Sequence, residues 1–395
     1  MRMADRAPAG PAHPAGGNLT RTREALINGV ERQWHSSAVV SVVRRTGETE
    51  SIAAGSTLDG VPMRNTTLVP WFCAAKPLLG LMLAILVSRN EVGWDDALAR
   101  FVPRFARGGR DGITIRHVLT HSIGLLNDPV ELLGLDWDVA VGTIARTRPV
   151  PGWMPGREHS YLPFTSWYLI GEVLIRATGQ QLGPLVREQV IEPLALRETY
   201  IGMTADEYRA VRDRLAGVGT HQVRGSVDRH QFRLPIDGAD ICGGTGPMSV
   251  RGTMADLARL YATLGLSDDP PLGITPRVWR EYVARPSDPV FDQRHQIPVV
   301  LGMGLVFEGR QYGEGARVFG PYCSPDTLGH RGLGSLVAFA DRTAGTAVAA
   351  FFDVTNQPLL NRGRIDLISS CVYRDLGLRC VPHEVGRPSS VQSAE

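Results

Sequence analysis

The order of strand and helix signals along this chain is the feature that most constrains its fold. Two runs of β-branched and small residues near the N-terminus, residues 38–44 and 51–54, flank a polar turn and predict a β-hairpin. Strand signals return only late in the 395 residues, in the runs 299–307, 334–340 and 346–354. The stretch between them, roughly residues 95–234, is rich in helix signals. One sheet built from both chain ends must therefore enclose a helical insertion.

This order predicts an α/β (α+β) fold, with an antiparallel sheet flanked by helices and an inserted helical subdomain. We expect the sheet domain to be discontinuous, over residues 21–94 and 236–381, and the helical subdomain to cover 95–235. Residues 1–20 and 382–395 are poor in large apolar side chains and are expected to be disordered tails. Helices are predicted at 21–34, 73–89, 115–119, 165–177, 182–191 and 359–374.

Composition excludes several classes of partner. The formal net charge of +2 and the lack of a basic stripe argue against binding to nucleic acid or to an anionic membrane. The longest apolar run, residues 78–87, is too short to span a bilayer, and the N-terminal stretch lacks the apolar region of a signal peptide. We therefore expect a cytoplasmic protein. Five irregularly spaced cysteines favour neither a disulfide framework nor a structural zinc site.

The chain has a single lysine among 42 Lys and Arg residues, Lys76, within the segment WFCAAKP at residues 71–77. Arginine stays protonated in proteins, whereas a buried lysine can lose its proton and act as a base. Cys73 lies three residues earlier on the predicted helix, on the same face and near the N-terminal end, where a thiolate is favoured. The alternatives are a surface lysine that persisted by chance and a buried structural cysteine.

Two further elements contain residues suited to acyl chemistry. Tyr161 follows a Pro-Gly turn just before a predicted helix, where its phenol could relay protons if nearby cations lower its pKa. His330 lies in the segment GHRGLG at residues 329–334, ahead of a predicted strand, and the N–H groups of such glycines could bind an oxyanion. Considered alone, a packing tyrosine and a histidine without a catalytic role are the simpler interpretations.

Taken in order, the three elements resemble motifs of the serine β-lactamase and penicillin-binding-protein superfamily, in its class C and esterase-like branch. That branch carries Ser-x-x-Lys at the start of a helix, a Tyr motif in the helical subdomain, and Lys-Thr-Gly or His-x-Gly on a sheet strand. The corresponding residues here are Cys73 with Lys76, Tyr161, and His330 with Gly332. Framework segments at 113–125, 161–179, 191–200 and 243–259 are similar as well, so the resemblance spans about residues 25–375.

The resemblance also implies roles for individual residues. Cys73, Lys76, Tyr161 and His330 would be catalytic, with Tyr161 and Lys76 sharing the proton transfers. The backbone N–H groups of Cys73 and Leu333 would form the oxyanion hole. Gly332 and Trp153 would help to bind the substrate.

Two departures from the family pattern argue against β-lactam hydrolysis. Cys73 takes the place of the nucleophilic serine. Pro163 stands where the Tyr-x-Asn motif of the β-lactamases has an asparagine whose amide helps to hold the antibiotic. The lack of an export signal points the same way, because lactamases and cell-wall transpeptidases work outside the cytoplasm.

These observations predict a cysteine-dependent transacylase that passes an acyl group from an ester or thioester to an amine through a Cys73 thioester. A thioester reacts more readily with amines than an oxygen ester does, and superfamily relatives include acyltransferases that finish natural products. The expected partners are a small-molecule acyl donor and an amine acceptor. The alternatives are an esterase or amidase and a non-catalytic binding protein on the same fold.

No cofactor or metal is predicted. The chain has neither a phosphate-binding loop nor a dinucleotide-binding glycine motif, so amide formation would proceed without ATP. His117 and His121 are four residues apart, a spacing found among metal ligands, but the sequence offers no obvious third ligand. We interpret both as structural.

Overall fold

A computed structural model describes residues 18–57, 60–106, 110–129, 132, 135–218, 246, 249–333, 336–354 and 358–378. Nearly all of the two predicted tails lies outside these residues, as do Cys242, Cys380 and the predicted domain boundary near residue 236. Residues 18–20, which we had assigned to the N-terminal tail, are described. Leu19 is fully buried and the first helix begins at Thr20.

The described residues form one eight-stranded antiparallel sheet and one small three-stranded sheet. The strands are β1 (Ser37–Arg44), β2 (Thr49–Gly55), β3 (Val69–Pro70), β4 (Thr199–Tyr200), β5 (Arg251–Gly252), β6 (Val290–Asp292), β7 (Ile297–Leu301), β8 (Val306–Phe307), β9 (Thr327–Gly332), β10 (Leu336–Asp341) and β11 (Thr346–Phe352). The large sheet has the order β2-β1-β11-β10-β9-β8-β7-β6, and the small one has the order β3-β5-β4. The N-terminal hairpin therefore pairs with the last strand, as the order of signals predicted.

The helices lie on both faces of the large sheet and between its two chain segments. They are α1 (Thr20–Glu31), α2 (Lys76–Ser88), α3 (Ile115–Leu119), α4 (Trp137–Arg146), α5 (Pro163–Thr178), α6 (Leu182–Val186), α7 (Ala205–Val211), α8 (Met254–Leu266), α9 (Pro276–Tyr282) and α10 (Pro358–Asp375). Short 3₁₀ turns occupy Phe72–Ala75, Leu98–Arg100, Pro103–Ala106, Arg212–Arg214, Arg310–Tyr312 and Glu314–Ala316. In the part of the chain described, no helix is both long and apolar enough to cross a bilayer.

Residue alternation along the central strands produces two hydrophobic cores. Side chains on one face, such as Ala338 and Ala349, pack in the core that contains α8. Their neighbours on the other face, such as Phe339 and Ala350, pack with α1 and α10. Small residues let α8 approach closely: a Cβ on Gly265 would lie 2.5 Å from the Cβ of Ala340. The predicted fold class is thus confirmed, whereas the exact subdomain boundaries stay a prediction.

The local structure differs from prediction at several places. Strands β3, β4 and β5 and helices α8 and α9 were not predicted. The predicted strand at 299–307 is two strands, β7 and β8, separated by a turn in which Gly304 has a φ of +73°. The predicted helix at 182–191 is α6 followed by a π-helical turn, Arg187–Ile191. Strand β6 was not predicted. Strand β9 was also missed, because its glycines made the segment resemble a loop, so His330 lies within the sheet opposite Ala338 and not before a strand.

Candidate active site

The segment before Cys73 is held rigidly by the small sheet. The N–H of Trp71 donates to the carbonyl of Val250 at 3.1 Å, and β3 pairs with β5. The Trp71 ring is fully buried against Gly252, where an added Cβ would lie 2.5 Å from the indole. Phe72 then takes a φ of +48°, a conformation that non-glycine residues rarely adopt. This sharp turn at the end of β3 directs the chain into the 3₁₀ turn that carries Cys73.

Cys73 and Lys76 share one side of a continuous helical segment, although Cys73 lies in the 3₁₀ turn and Lys76 is the first residue of α2. Side chains three residues apart on such a turn point the same way. Lys76 is only 8% exposed; its Nζ donates to the carbonyl of Pro163 at 2.9 Å and lies 5.6 Å from the ring centroid of Tyr161. The described residues provide this buried ammonium with no carboxylate partner.

Tyr161 directs its hydroxyl towards Cys73. The side chain as a whole is partly exposed, but its hydroxyl oxygen is buried and has no oxygen or nitrogen hydrogen-bond partner among the described residues. Burial raises the pKa of Tyr161 well above its ordinary value, and the neighbouring Cys73 raises it further through its charge and its hydrogen bonding. The lowered pKa that the sequence analysis required of Tyr161 is therefore wrong, and the phenol is a neutral proton donor at physiological pH.

His330 is a neutral hydrogen-bond acceptor in this site. Its ring is 4% exposed and its centroid lies 5.9 Å from that of Tyr161. Nδ1 lies 2.7 Å from the carbonyl of Arg331, so Nδ1 carries the proton and Nε2 presents a lone pair. Burial, and secondarily the positive charge of Lys76, lower the pKa of His330 to about 3. A group so weakly basic does not serve as a base near neutral pH.

His121 is a site residue whose importance the sequence analysis missed. Its ring centroid is 4.7 Å from that of Tyr161, and its Nδ1 accepts from the N–H of Leu162 at 3.1 Å. The ring is therefore a neutral Nε2–H tautomer, and burial followed by the charge of Lys76 keeps its pKa well below the ordinary value. His117, by contrast, receives the N–H of Thr114 in a capping box. The described residues hold no cluster suited to a metal ion.

The remaining predicted binding residues lie at two places. Gly332 ends β9 against the turn that carries the thiol: an added Cβ would lie 3.0 Å from the carbonyl oxygen of Trp71 and 3.1 Å from the Cβ of Phe72. Leu333 follows with a φ of +38° and is 44% exposed. Trp153 lies elsewhere, on the loop between α4 and α5, where its Nε1 donates to the carbonyl of Ser122 at 3.1 Å.

The Cys73 thiol differs from the other described thiols in its surroundings. It is partly exposed and lies beside Tyr161. Cys323 is buried, and burial raises its pKa well above the ordinary value. Cys371 is partly exposed on α10, and burial raises its pKa too.

Beneath Lys76, a small cavity of about 20 Å³ is lined by polar and apolar side chains that include His121, Ser166 and Trp167.

Comparison with known proteins agrees with this geometry. The sequence matches the family described as Beta-lactamase over residues 22–368, which includes every site residue named above. The chain belongs to the β-lactamase family. The family's fold accounts for the large antiparallel sheet with α8 on one face and α1 and α10 on the other.

Relatives of this β-lactamase-family chain include esterases and penicillin-binding proteins. Esterase EstB of Burkholderia gladioli is 28% identical over 210 residues, which are 46% of this chain and 51% of EstB, so the match spans about half of that esterase. A penicillin-binding protein homologue from Caulobacter crescentus has a TM-score of 0.71 at 25% identity, covering 89% of this chain and 97% of that one. EstCE1, titled a hydrolase with promiscuous acyltransferase activity, has a TM-score of 0.71 at 21% identity, with 90% and 98% covered.

Proposed function

We propose that this protein is a cysteine-dependent transacylase, which forms an amide from an ester or thioester and an amine without ATP. One observation carries the proposal: the partly exposed thiol of Cys73 lies beside the hydroxyl of Tyr161 and one helical turn from the buried amine of Lys76. A nucleophile with a proton-transfer partner within reach is the signature of covalent catalysis.

In the first half-reaction, Cys73 attacks the acyl carbon as a thiolate. Lys76, which has no carboxylate partner among the described residues, takes the proton of the Cys73 thiol, and the ammonium so formed balances the thiolate. A bond forms between sulfur and the acyl carbon, and the bond to the leaving group breaks. The neutral phenol of Tyr161 supplies the proton to the departing oxygen or sulfur, since burial keeps it protonated. His330 lines the acyl site, where its Nε2 can accept a hydrogen bond from the incoming amine.

The oxyanion of this step would be stabilised at the junction of β9 and the 3₁₀ turn. Gly332 packs closely on Trp71 and Phe72, the two residues before Cys73, and this packing would bring the backbone N–H of Leu333 near that of Cys73. Two backbone N–H groups converging on one oxygen form the usual oxyanion hole of acyl transfer, and removing one such donor typically costs about 10²–10³ in kcat.

In the second half-reaction, the thioester favours an amine over water because amine nitrogen is the softer and stronger nucleophile towards it. Amide formation of this kind would suit a late step in natural-product assembly. Hydrolysis is the second candidate function. It is favoured by the likeness to EstB, a protein named as an esterase, and by the exposure of Cys73, which admits water.

The test uses the purified protein, an activated ester and a series of primary amines. We expect an acyl adduct on Cys73 by intact-protein mass spectrometry, and a shift of product from acid to amide as amine is added. Cys73→Ala should lose adduct and turnover. Cys371→Ala removes the other partly exposed described thiol and should keep both.

The outcomes separate the candidate functions. An acid yield that no amine changes would assign hydrolysis. No adduct with any donor would indicate a binding protein that does not react. Cys73→Ser should keep part of the ester turnover but lose the preference for amines; if its amide-to-acid ratio equals that of the wild type, the thioester argument is wrong.

A further inference from the structure

Tyr161 is surrounded by three histidines, and only one of them faces solvent. His121 and His330 are almost completely buried and neutral, and their rings pack on Tyr161 from within the protein. The ring of His295 lies 5.7 Å from the Tyr161 ring, centroid to centroid, and its side chain is 49% exposed. A molecule entering from solvent would therefore meet His295 and not the other two. His295 lies in the turn between β6 and β7, which the sequence analysis did not single out.

A buried carboxylate fixes the orientation of the His295 ring. Nδ1 of His295 lies 2.5 Å from Oδ2 of Asp292, which is 5% exposed. Burial pushes the pKa of Asp292 upward, but hydrogen bonds from His295 and from the N–H groups of Tyr161 and Arg294 outweigh it and lower that pKa. An ionised carboxylate only accepts, so Nδ1 is the donor, and in the neutral ring Nε2 is the nitrogen left to act as a base. A carboxylate that orients an imidazole in this way is the arrangement that prepares histidine for general-base catalysis.

The turn that carries this dyad is fastened directly to Tyr161. The N–H of Tyr161 donates to Oδ1 of Asp292 at 2.9 Å, and Nη1 of Arg294 donates to the carbonyl of Tyr161 at 3.2 Å. The N–H of Gln293 donates to the carbonyl of His159 at 2.9 Å. The position of His295 relative to Tyr161 is thus set by hydrogen bonds from the turn to the backbone of Tyr161 and His159.

We propose that His295, oriented by Asp292, is the general base that deprotonates the acyl acceptor in the second half-reaction. The amine nitrogen attacks the thioester carbon, and a C–N bond forms as the C–S bond breaks. The electron pair of the C–S bond returns to Cys73 as thiolate, and the proton of the nitrogen passes to Nε2 of His295. The imidazolium is balanced by Asp292, and its proton returns through solvent to the Tyr161 phenolate left by the first half-reaction, which restores the starting state. Water as acceptor would lose its proton to the same nitrogen.

This inference rests on the proposed function, and the test keeps the two apart by measuring the half-reactions separately. The variant is His295→Asn, whose amide N–H can still donate to Asp292 while the basic Nε2 is lost. The control is Gln296→Asn in the same turn, an exposed position with a φ of +55°, which asparagine tolerates. With an activated ester, rapid quench gives the rate and amplitude of acylation, and steady-state turnover with an amine gives the second half-reaction.

We expect His295→Asn to acylate at the wild-type rate and to turn over about 10²–10⁴ times more slowly, the usual contribution of a positioned base. Its Cys73 adduct should accumulate. Exogenous imidazole should restore turnover in His295→Ala, which a structural role would not allow. Equal loss of both half-reactions, or unchanged turnover, would overturn the assignment while leaving the proposed function intact. A wild-type protein that never forms the adduct would overturn both.

Discussion

Replacement of His330 tests whether burial keeps a neutral imidazole in the sheet. The folded protein holds the pKa of His330 at about 3, against 6.5 for an unburied histidine. Between these values the unfolded chain binds a proton that the folded protein does not, so stability falls as the pH drops from 6.5 towards 3. Each pH unit in that window costs about 1.4 kcal/mol, or about 2.5 kcal/mol between pH 7 and pH 4.5.

His330→Asn should remove this contribution. Asparagine keeps an N–H that can donate to the carbonyl of Arg331, as Nδ1 does at 2.7 Å, but it does not titrate. The free energy of unfolding, measured from urea titrations of intrinsic fluorescence at several pH values, should fall less steeply with acid by about 2.5 kcal/mol over that range. Part of the acid sensitivity should remain, because His121 is also buried and neutral.

The comparison within each variant across pH separates this effect from simple loss of packing. Ser166→Ala alters another buried polar residue near Lys76 without removing a titratable group. It should change stability equally at every pH. If His330→Asn keeps the full wild-type pH dependence, then His330 is protonated in the folded protein and the account of its burial is wrong.

Three further predictions concern the residues around the thiol. Tyr161→Phe should lower turnover about 10²–10⁴-fold yet leave stability unchanged or raise it by about 1 kcal/mol, since the buried hydroxyl has no oxygen or nitrogen partner among the described residues; a large drop in melting temperature would contradict this. Lys76→Arg should nearly abolish the Cys73 adduct although it keeps the charge, because arginine does not give up its proton; an adduct formed at the wild-type rate would refute the proton-transfer role. Gly332→Ala should slow acylation and destabilise the fold by about 1–3 kcal/mol, because the new Cβ would lie 3.0 Å from the carbonyl oxygen of Trp71. Denaturant titration measures the loss of stability and rapid quench the rate of acylation, and a wild-type value of either would contradict the prediction.

The strand and helix pattern sufficed to predict the architecture, because burial on a sheet face leaves a period of two and burial on a helix leaves longer amphipathic or apolar runs. Strand β9 was not predicted because its glycines lack the β-branched or apolar side chains that indicate a strand. Strand β6 was too short to stand out, and the pattern over β7 and β8 predicted one strand without the turn between them. Each of these errors concerns backbone whose conformation depends on pairing with a neighbouring strand.

The sequence by itself determined which reactive groups the protein contains. These are one lysine, a cysteine three residues before it, and a tyrosine and a histidine in the order in which the β-lactamase family has its motifs. Only the tertiary structure decided their protonation, since a pKa depends on burial and on charges brought from distant segments. Folding buries the Tyr161 hydroxyl beside Cys73 and leaves His330 neutral. It also brings His295, more than 130 positions away in the chain, against Tyr161. The local sequence does not predict this contact between His295 and Tyr161, because the contact depends on the pairing of β6 with β7 and on the hydrogen bonds that join their turn to the segment before α5.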